Sequence, residues 1–421
     1  MTGTADAGGL FPPHQNNRTY AMLAKPVSGA CNLRCGYCYY AGKERLLDVE
    51  APVMSFDVLE AFTRQNLAMH GENAVVEFAW HGGEPTLAGV GFFREAVRLQ
   101  EKYAQGRKIL NTLQTNGTLL DDEFCAFFRE NHFLLGVSVD GPPDCHNAYR
   151  RDADGAGSFD RTMRGIELLK KHGVPFNTLT AVNDVNVQKP VEVYRFLREL
   201  TDYIQFLPVV ERLLVPYESE EGQPLASLRE AVSPRSDTAD RANAAKPMAS
   251  SEPARLAAPP GIHFAGTDNL IAPFSVPPGA WGDFLCAVLD EWNKRDGERK
   301  HVQLIDVALG NLRGVPSSLC VHNPLCGHSG CVEANGDVYA CDRYAFPTYC
   351  LGNIMNMDMG ALMERNRHFG MHKAYGLPEA CFDCPYLKLC FGGCPKDRIF
   401  DGKNYLCEGY KLFFDAIMEL E

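Results

Sequence analysis

The sequence predicts an α/β chain, a partial (β/α)6 barrel followed by a cysteine-rich C-terminal module. Two observations carry this expectation. From Tyr20 to about residue 210, short apolar strand-like runs alternate with amphipathic helical runs, the pattern of βα units and a parallel sheet. Ten of the 16 cysteines then crowd between Cys320 and Cys407. The six strands are expected at Ala21 to Lys25, Ala74 to Trp80, Ile109 to Thr115, Leu134 to Val139, Phe176 to Val182 and Tyr203 to Val209. Among the helices, Ser158 to Gly173 is the clearest, because Phe159, Met163, Ile166 and Leu169 share a face and Gly173 can end it. Six units fit a partial barrel, and an open doubly wound sheet would show the same period.

The pattern fails after Val210. Half of Tyr217 to Pro260 is Ala, Ser or Pro with one aromatic residue, too little apolar surface to offset chain entropy, so a flexible insertion is expected there. Order resumes at Pro278, where Pro in the first turn and Trp281, Leu285, Leu289 and Trp292 at helical spacing predict a helix. The expected organisation is an N-terminal segment (1–19), the barrel (20–212), the insertion (213–277), a connecting helical region (278–315) and the cysteine module (316–421). A balance of 53 Asp and Glu against 41 Lys and Arg, net charge −12, argues against a nucleic-acid partner. No apolar run is long enough to cross a bilayer, and the N-terminus lacks a charged start followed by an apolar core. The chain is therefore expected to be cytoplasmic, where thiols stay reduced and cysteine clusters bind metal more often than they form disulfides.

Cys31, Cys35 and Cys38 follow the first strand as CxxxCxxC. Three thiolates from one loop leave a 4Fe-4S cluster with one iron open to a ligand, whereas zinc would need a fourth ligand from elsewhere. This motif, with Tyr37 before its last cysteine, resembles the radical S-adenosylmethionine enzymes, which implies the partial TIM-like barrel and an open iron chelated by S-adenosylmethionine. The second strand ends in WHGGEPT, where Gly82 and Gly83 allow close backbone approach and Glu84 can accept from an ammonium group. By resemblance, His81, Gly82, Gly83 and Glu84 belong to the glycine-rich motif that holds the cofactor's amino group. Polar residues recur at later strand ends, in QTNGT (114–118), at Ser138 and Asp140, and in HNAYR (146–150), which suggests one shared pocket. Resemblance implies that Ser138 and Arg150 touch the cofactor's ribose or carboxylate, with Tyr37, Tyr40 and Val210 also beside it.

The later cysteines resemble a SPASM module with two auxiliary 4Fe-4S clusters. The resemblance assigns Cys320, Cys326, Cys341 and Cys394 to the nearer cluster and Cys381, Cys384, Cys390 and Cys407 to the farther one. Cys125, Cys145, Cys286, Cys331 and Cys350 are left over as small buried or incidental thiols, with Cys331 the first alternative ligand. Within this group the chain is most similar to the anaerobic sulfatase-maturating enzymes, through KPVSGACNLRCGYCYY, GGEPTLAG, LQTNGTLLD, SVDGP, HNAYRRD, VYACD and LGNI. That similarity implies oxidation of a Cys or Ser in a sulfatase to formylglycine. Asp342 would be the base and Tyr40 a second active-site residue, with Asp306 another candidate carboxylate. It further implies three 4Fe-4S clusters, a sulfatase polypeptide as substrate, and an external one-electron donor such as flavodoxin or ferredoxin, acting on a monomer. A maturase that crosslinks ribosomally made peptides is the alternative. His81 stands where some sulfatase maturases have Gln, which bears on substrate preference.

Overall fold

A computed structural model describes residues 20–40, 47, 53–212, 271–399 and 402–420. Nearly all of these belong to one compact unit, Met1–Glu211 with Ile271–Glu421. The segments 1–19 and 213–270, which hold the expected N-terminal segment and most of the expected insertion, lie outside the described residues.

Six strands stand where alternation predicted them: β1 (Ala21–Ala24), β2 (Val75–Trp80), β3 (Lys108–Thr115), β4 (Leu134–Ser138), β5 (Phe176–Val182) and β6 (Tyr203–Pro208). Between them run α1 (Phe56–Ala68), α2 (Gly89–Tyr103), α3 (Asp122–Glu130), α4 (Pro143–Tyr149), α5 (Phe159–His172) and α6 (Pro190–Arg198). α5 ends where its sequence says it should, at Gly173 in the left-handed region (φ 67°), whose N–H closes on the Leu169 and Lys170 carbonyls. Next come α7 (Pro278–Arg295), the two-residue β7 (His301–Val302) and α8 (Gln303–Leu312).

Strand order separates the two architectures that periodicity left open. β1 to β7 are neighbours in chain order and all parallel. A doubly wound sheet would reverse its order at a switch point, so the sheet winds one way, as a partial barrel does. Its helix-covered side is filled by Phe62, Phe78, Trp80, Phe92, Phe93, Phe128 and Phe133, all buried, with Trp80 Nε1 donating to Asn111 Oδ1 at 2.9 Å.

The cysteine module extends the same sheet. β8 (Ser329–Val332) pairs parallel with β1, Ala24 opposite Val332, and β9 (Asp337–Tyr339) and β10 (Cys350–Asn353) follow antiparallel. α9 (Met359–Tyr375), α10 (Glu379–Phe382), α11 (Leu387–Cys390) and α12 (Cys407–Met418) complete the described chain. β8 and β9 bring Cys341 and Asp342 to the mouth formed by the ends of β1 and β2.

Candidate active site

The loop after β1 carries Cys31, Cys35 and Cys38 and is held by the end of β2. Gly83 N–H donates to the Ser28 carbonyl and Glu84 N–H to the Ala30 carbonyl, both at 2.8 Å. A Cβ on Gly83 would lie 2.0 Å from the Ala30 oxygen, so only glycine permits the approach. Gly82 takes φ 125°, a conformation L side chains rarely adopt. Glu84 is fully buried and accepts four hydrogen bonds, from Thr86 N–H (3.1 Å) and hydroxyl (2.6 Å), Thr115 hydroxyl (2.7 Å) and Asn116 N–H (2.7 Å). Burial raises its pKa against those donors. The four contacts fill most of a carboxylate's acceptor capacity, so Glu84 joins the ends of β2 and β3. Asn116 then reaches back to the cysteine loop through Asn32 Oδ1 at 2.9 Å.

At the end of β4, Asp140 is buried beside Tyr37 and Arg150. The Tyr37 hydroxyl and Arg150 Nε (2.9 Å) both donate to Asp140 Oδ2, and Ala181 N–H donates to Oδ1 at 3.0 Å. Arg150 is thus a buried ion-pair partner whose charge also works against the rise that burial imposes on the Cys35 thiol, to about 12. Burial likewise pushes Cys31 to about 11. His146 lies beneath this set, its Nε2 2.9 Å from the Ser158 hydroxyl, and burial with the nearby Arg150 charge lowers it to about 4. Ser138 accepts from Gln114 Nε2 at 3.1 Å, and Val210 is buried just past β6.

Opposite the cysteine loop, Tyr39 donates to Asp342 Oδ2 at 2.9 Å. The hydroxyl of Tyr40 points elsewhere, to Glu333 Oε1, while Lys25 Nζ sits 3.6 Å from the centre of the Tyr40 ring and 3.2 Å from Glu333 Oε1. Lys25 and Glu333 are fully buried. Burial opposes ionisation of Asp342, but Lys25, His81 and the Tyr39 hydroxyl outweigh it and leave its pKa lowered. His81 is itself lowered by burial. Arg343 forms a two-pronged pair with Asp397 at 2.9 and 2.7 Å. Asp306 lies on α8 against His301, 3.2 Å away, where burial raises its pKa. Sequence reasoning passed over Tyr39, Lys25 and Glu333. Lys25, a charge closing an apolar strand directly before the cysteine loop, was the one local signal.

The C-terminal cysteines form two sets. Cys320, Cys326, Cys341 and Cys394 act on one another electrostatically, and burial raises all four thiols, Cys326 to about 12. One face of α9 supports this set: Asn366 Nδ2 donates to the Ser329 and Ala340 carbonyls (2.8 and 2.9 Å), the Gly370 carbonyl accepts from Cys326 N–H (3.2 Å), and Lys373 Nζ donates to the Cys320 and Val321 carbonyls (2.7 and 2.9 Å). Cys381, Cys384, Cys390 and Cys407 line one cavity with Tyr386, Leu387 and Tyr410. Cys331 is buried in β8 beside Glu333, 3.9 Å from its Oε1, on the Lys25 side.

These donors suit iron–sulfur clusters. All sixteen cysteines are free thiols. Among the described residues no three His, Cys, Asp or Glu side chains stand close enough to ligate one ion, and thiolates around a polynuclear cluster need not. Three thiols at the barrel mouth and two sets of four beyond it define the class of protein, a radical enzyme with an added iron–sulfur module. Family models agree: the Radical SAM superfamily matches residues 26–197 and an iron-sulfur cluster-binding domain residues 326–385.

The serine-type anaerobic sulfatase-maturating enzyme of Bacteroides thetaiotaomicron is 41% identical over 94% of this chain and 89% of its own. The cysteine-type enzyme of Clostridium perfringens is 32% identical over 94% and 95%. A solved structure of native anSMEcpe with bound AdoMet and Cp18Cys peptide superposes with TM-score 0.76 at 30% identity, covering 96% of this chain and 98% of that one. The chain belongs to the anaerobic sulfatase-maturating enzymes. Streptococcus suis SuiB bound to S-adenosylmethionine, 13% identical with TM-score 0.55 over 91% of this chain and 74% of its own, shares the fold alone.

Proposed function

We propose that this chain oxidises a Cys or Ser of a sulfatase to formylglycine without oxygen, with Asp342 as the base. The observation that carries the reading is the position of Asp342. It is half-buried, adjoins Cys341 and is tied to the CxxxCxxC loop by Tyr39, so one carboxylate spans both redox modules. Cys31, Cys35 and Cys38 would hold the first cluster, and the strand ends bearing Glu84, Ser138, Arg150 and Val210 would hold S-adenosylmethionine. Bound there, the cofactor and cluster supply a 5'-deoxyadenosyl radical that takes a hydrogen atom from the substrate Cβ. The rest falls to the chain. Lys25 and Tyr39 keep Asp342 ionised, ready to accept the thiol or hydroxyl proton, and Tyr39 fixes which oxygen faces the substrate.

Two full sets of four thiols, with the three of the CxxxCxxC loop, support three 4Fe-4S clusters in all; the auxiliary pair, held by the two sets, would supply an acceptor for the electron that the substrate loses as its C=S or C=O bond forms. A thioaldehyde then hydrolyses to the aldehyde. The free thiols fit a reducing cytoplasm, and an external carrier such as flavodoxin or ferredoxin would supply electrons to a monomer. Relatives of both serine and cysteine type leave either side chain as substrate. The test is mass spectrometry of synthetic Cys-x-Pro-x-Arg and Ser-x-Pro-x-Arg peptides after anaerobic incubation with the reconstituted protein, S-adenosylmethionine and reductant. An aldehyde product supports the reading. Deoxyadenosine without peptide change moves the substrate to the crosslinking alternative.

A further inference from the structure

Lys373 is 1% exposed, yet both its hydrogen bonds go to backbone carbonyls, those of the ligand Cys320 and of Val321, at 2.7 and 2.9 Å. No carboxylate pairs with it among the described residues. An ammonium so deeply buried is costly unless an anion faces it. Burial lowers its pKa, and the groups that oppose this are thiols, Cys326, Cys320 and Cys394, while Arg398 adds a second positive charge. Arg398 reaches the same place from the other side. Its Nη1 donates to the Lys373 carbonyl (2.8 Å), and its Nε and Nη2 hold the Gly392 and Phe391 carbonyls (3.1 and 3.3 Å) just before Cys394.

We infer that Lys373 is the counter-charge of the nearer auxiliary cluster and holds its reduction potential high enough to take the electron lost by the substrate. The inference rests on Cys320, Cys326, Cys341 and Cys394 being cluster ligands. Four thiolates and an iron–sulfur cube carry net negative charge, and one more on reduction, so a fixed cation nearby favours the reduced form. In the step itself one electron passes from the substrate radical to the cluster while one proton passes to Asp342. The cluster's electron then leaves to the external one-electron carrier. Lys373 exchanges neither and is a positioning residue for charge. α9 is suited to the task because its Gly370 backbone already lies against Cys326, and Lys373 follows one turn later on the same face.

The test is a potentiometric titration, followed by electron paramagnetic resonance, of full-length protein in which Cys31, Cys35 and Cys38 are all replaced by Ala, leaving only the auxiliary clusters. Lys373→Gln keeps a hydrogen-bond donor and removes the charge, while Lys373→Arg keeps the charge. The expected result is that Lys373→Gln shifts the oxidised-to-reduced ratio of one auxiliary cluster by roughly thirtyfold at fixed potential, about 90 mV at 59 mV per tenfold. The other cluster should move far less, and Lys373→Arg should stay within about threefold of the parent. Loss of iron in Lys373→Gln with retention in Lys373→Arg also supports a counter-charge. Equal potentials in all three proteins, or iron loss in both variants, overturn it. If the parent itself holds no auxiliary clusters by iron and sulfide analysis, the cluster assignment has failed instead.

Discussion

At the scale of single residues, the proposed chemistry rests on Asp342 and the phenol beside it. Asp342→Asn keeps the shape and removes the proposed base, so peptide conversion should fall by roughly 10²- to 10⁴-fold while deoxyadenosine still forms; loss of both products would place Asp342 in cofactor binding. Tyr39→Phe deletes one hydrogen bond to a charged group, worth about 1.5–3 kcal/mol, and should cut conversion tenfold or more. Tyr40→Phe breaks a contact to Glu333 on the far side of that pair. If Tyr40→Phe is the more damaging of the two in the same assay, the division of labour between these neighbours is wrong.

At the scale of elements, the strand ends and their loops act as one brace. Gly83→Ala would drive a Cβ to 2.0 Å from the Ala30 carbonyl oxygen, a backbone atom, so the loop cannot yield cheaply. Cofactor cleavage and the iron of the first cluster should be lost together while the iron held by the C-terminal cysteines remains; full first-cluster iron in that variant would refute the brace. The α4 residue His146 gives the same region a pH signature. Its native pKa of about 4 lies below the ordinary value near 6.5, so the unfolded chain takes a proton that the native chain refuses. Stability should therefore be fully present above about pH 6.5 and decline as pH falls toward 4, by at most ~3 kcal/mol. Urea midpoints measured across that window should flatten in His146→Gln relative to the parent, and parallel curves would remove His146 as the cause.

At the scale of the whole molecule, metal loading and the continuous sheet are coupled. Burial raises the pKa of Cys35 and Cys326 to about 12, so as the proposed iron ligands each would have to lose a proton. Reconstitution should release protons and proceed further as pH rises from 7 to 9, measured as iron per chain; a pH-independent yield would contradict this. Because β8 pairs with β1, removing iron from the C-terminal module should also loosen the barrel mouth, read as faster amide exchange at Leu23 and Ala24.

Much of this was legible in the sequence. Strand positions followed from the alternation of apolar strand-like runs with amphipathic helical runs, and the end of α5 from Gly173, because each is written into a few consecutive residues. Other features depended on partners far along the chain. Periodicity could not choose between a partial barrel and a doubly wound sheet, since both repeat alike and differ only in which strands become neighbours. Nor could SGCV at 329–332 be known to pair with β1 some 300 residues away. Tyr39 and Tyr40 look equivalent in sequence, but adjacent side chains point opposite ways, and only the folded chain decides which meets Asp342. The α9 stripe of Asn366, Gly370 and Lys373 mixes polar and small residues, so it left no apolar signal. Its meaning comes from the carbonyls and thiols it meets, and those are assembled only when the sheet closes on the cysteine module.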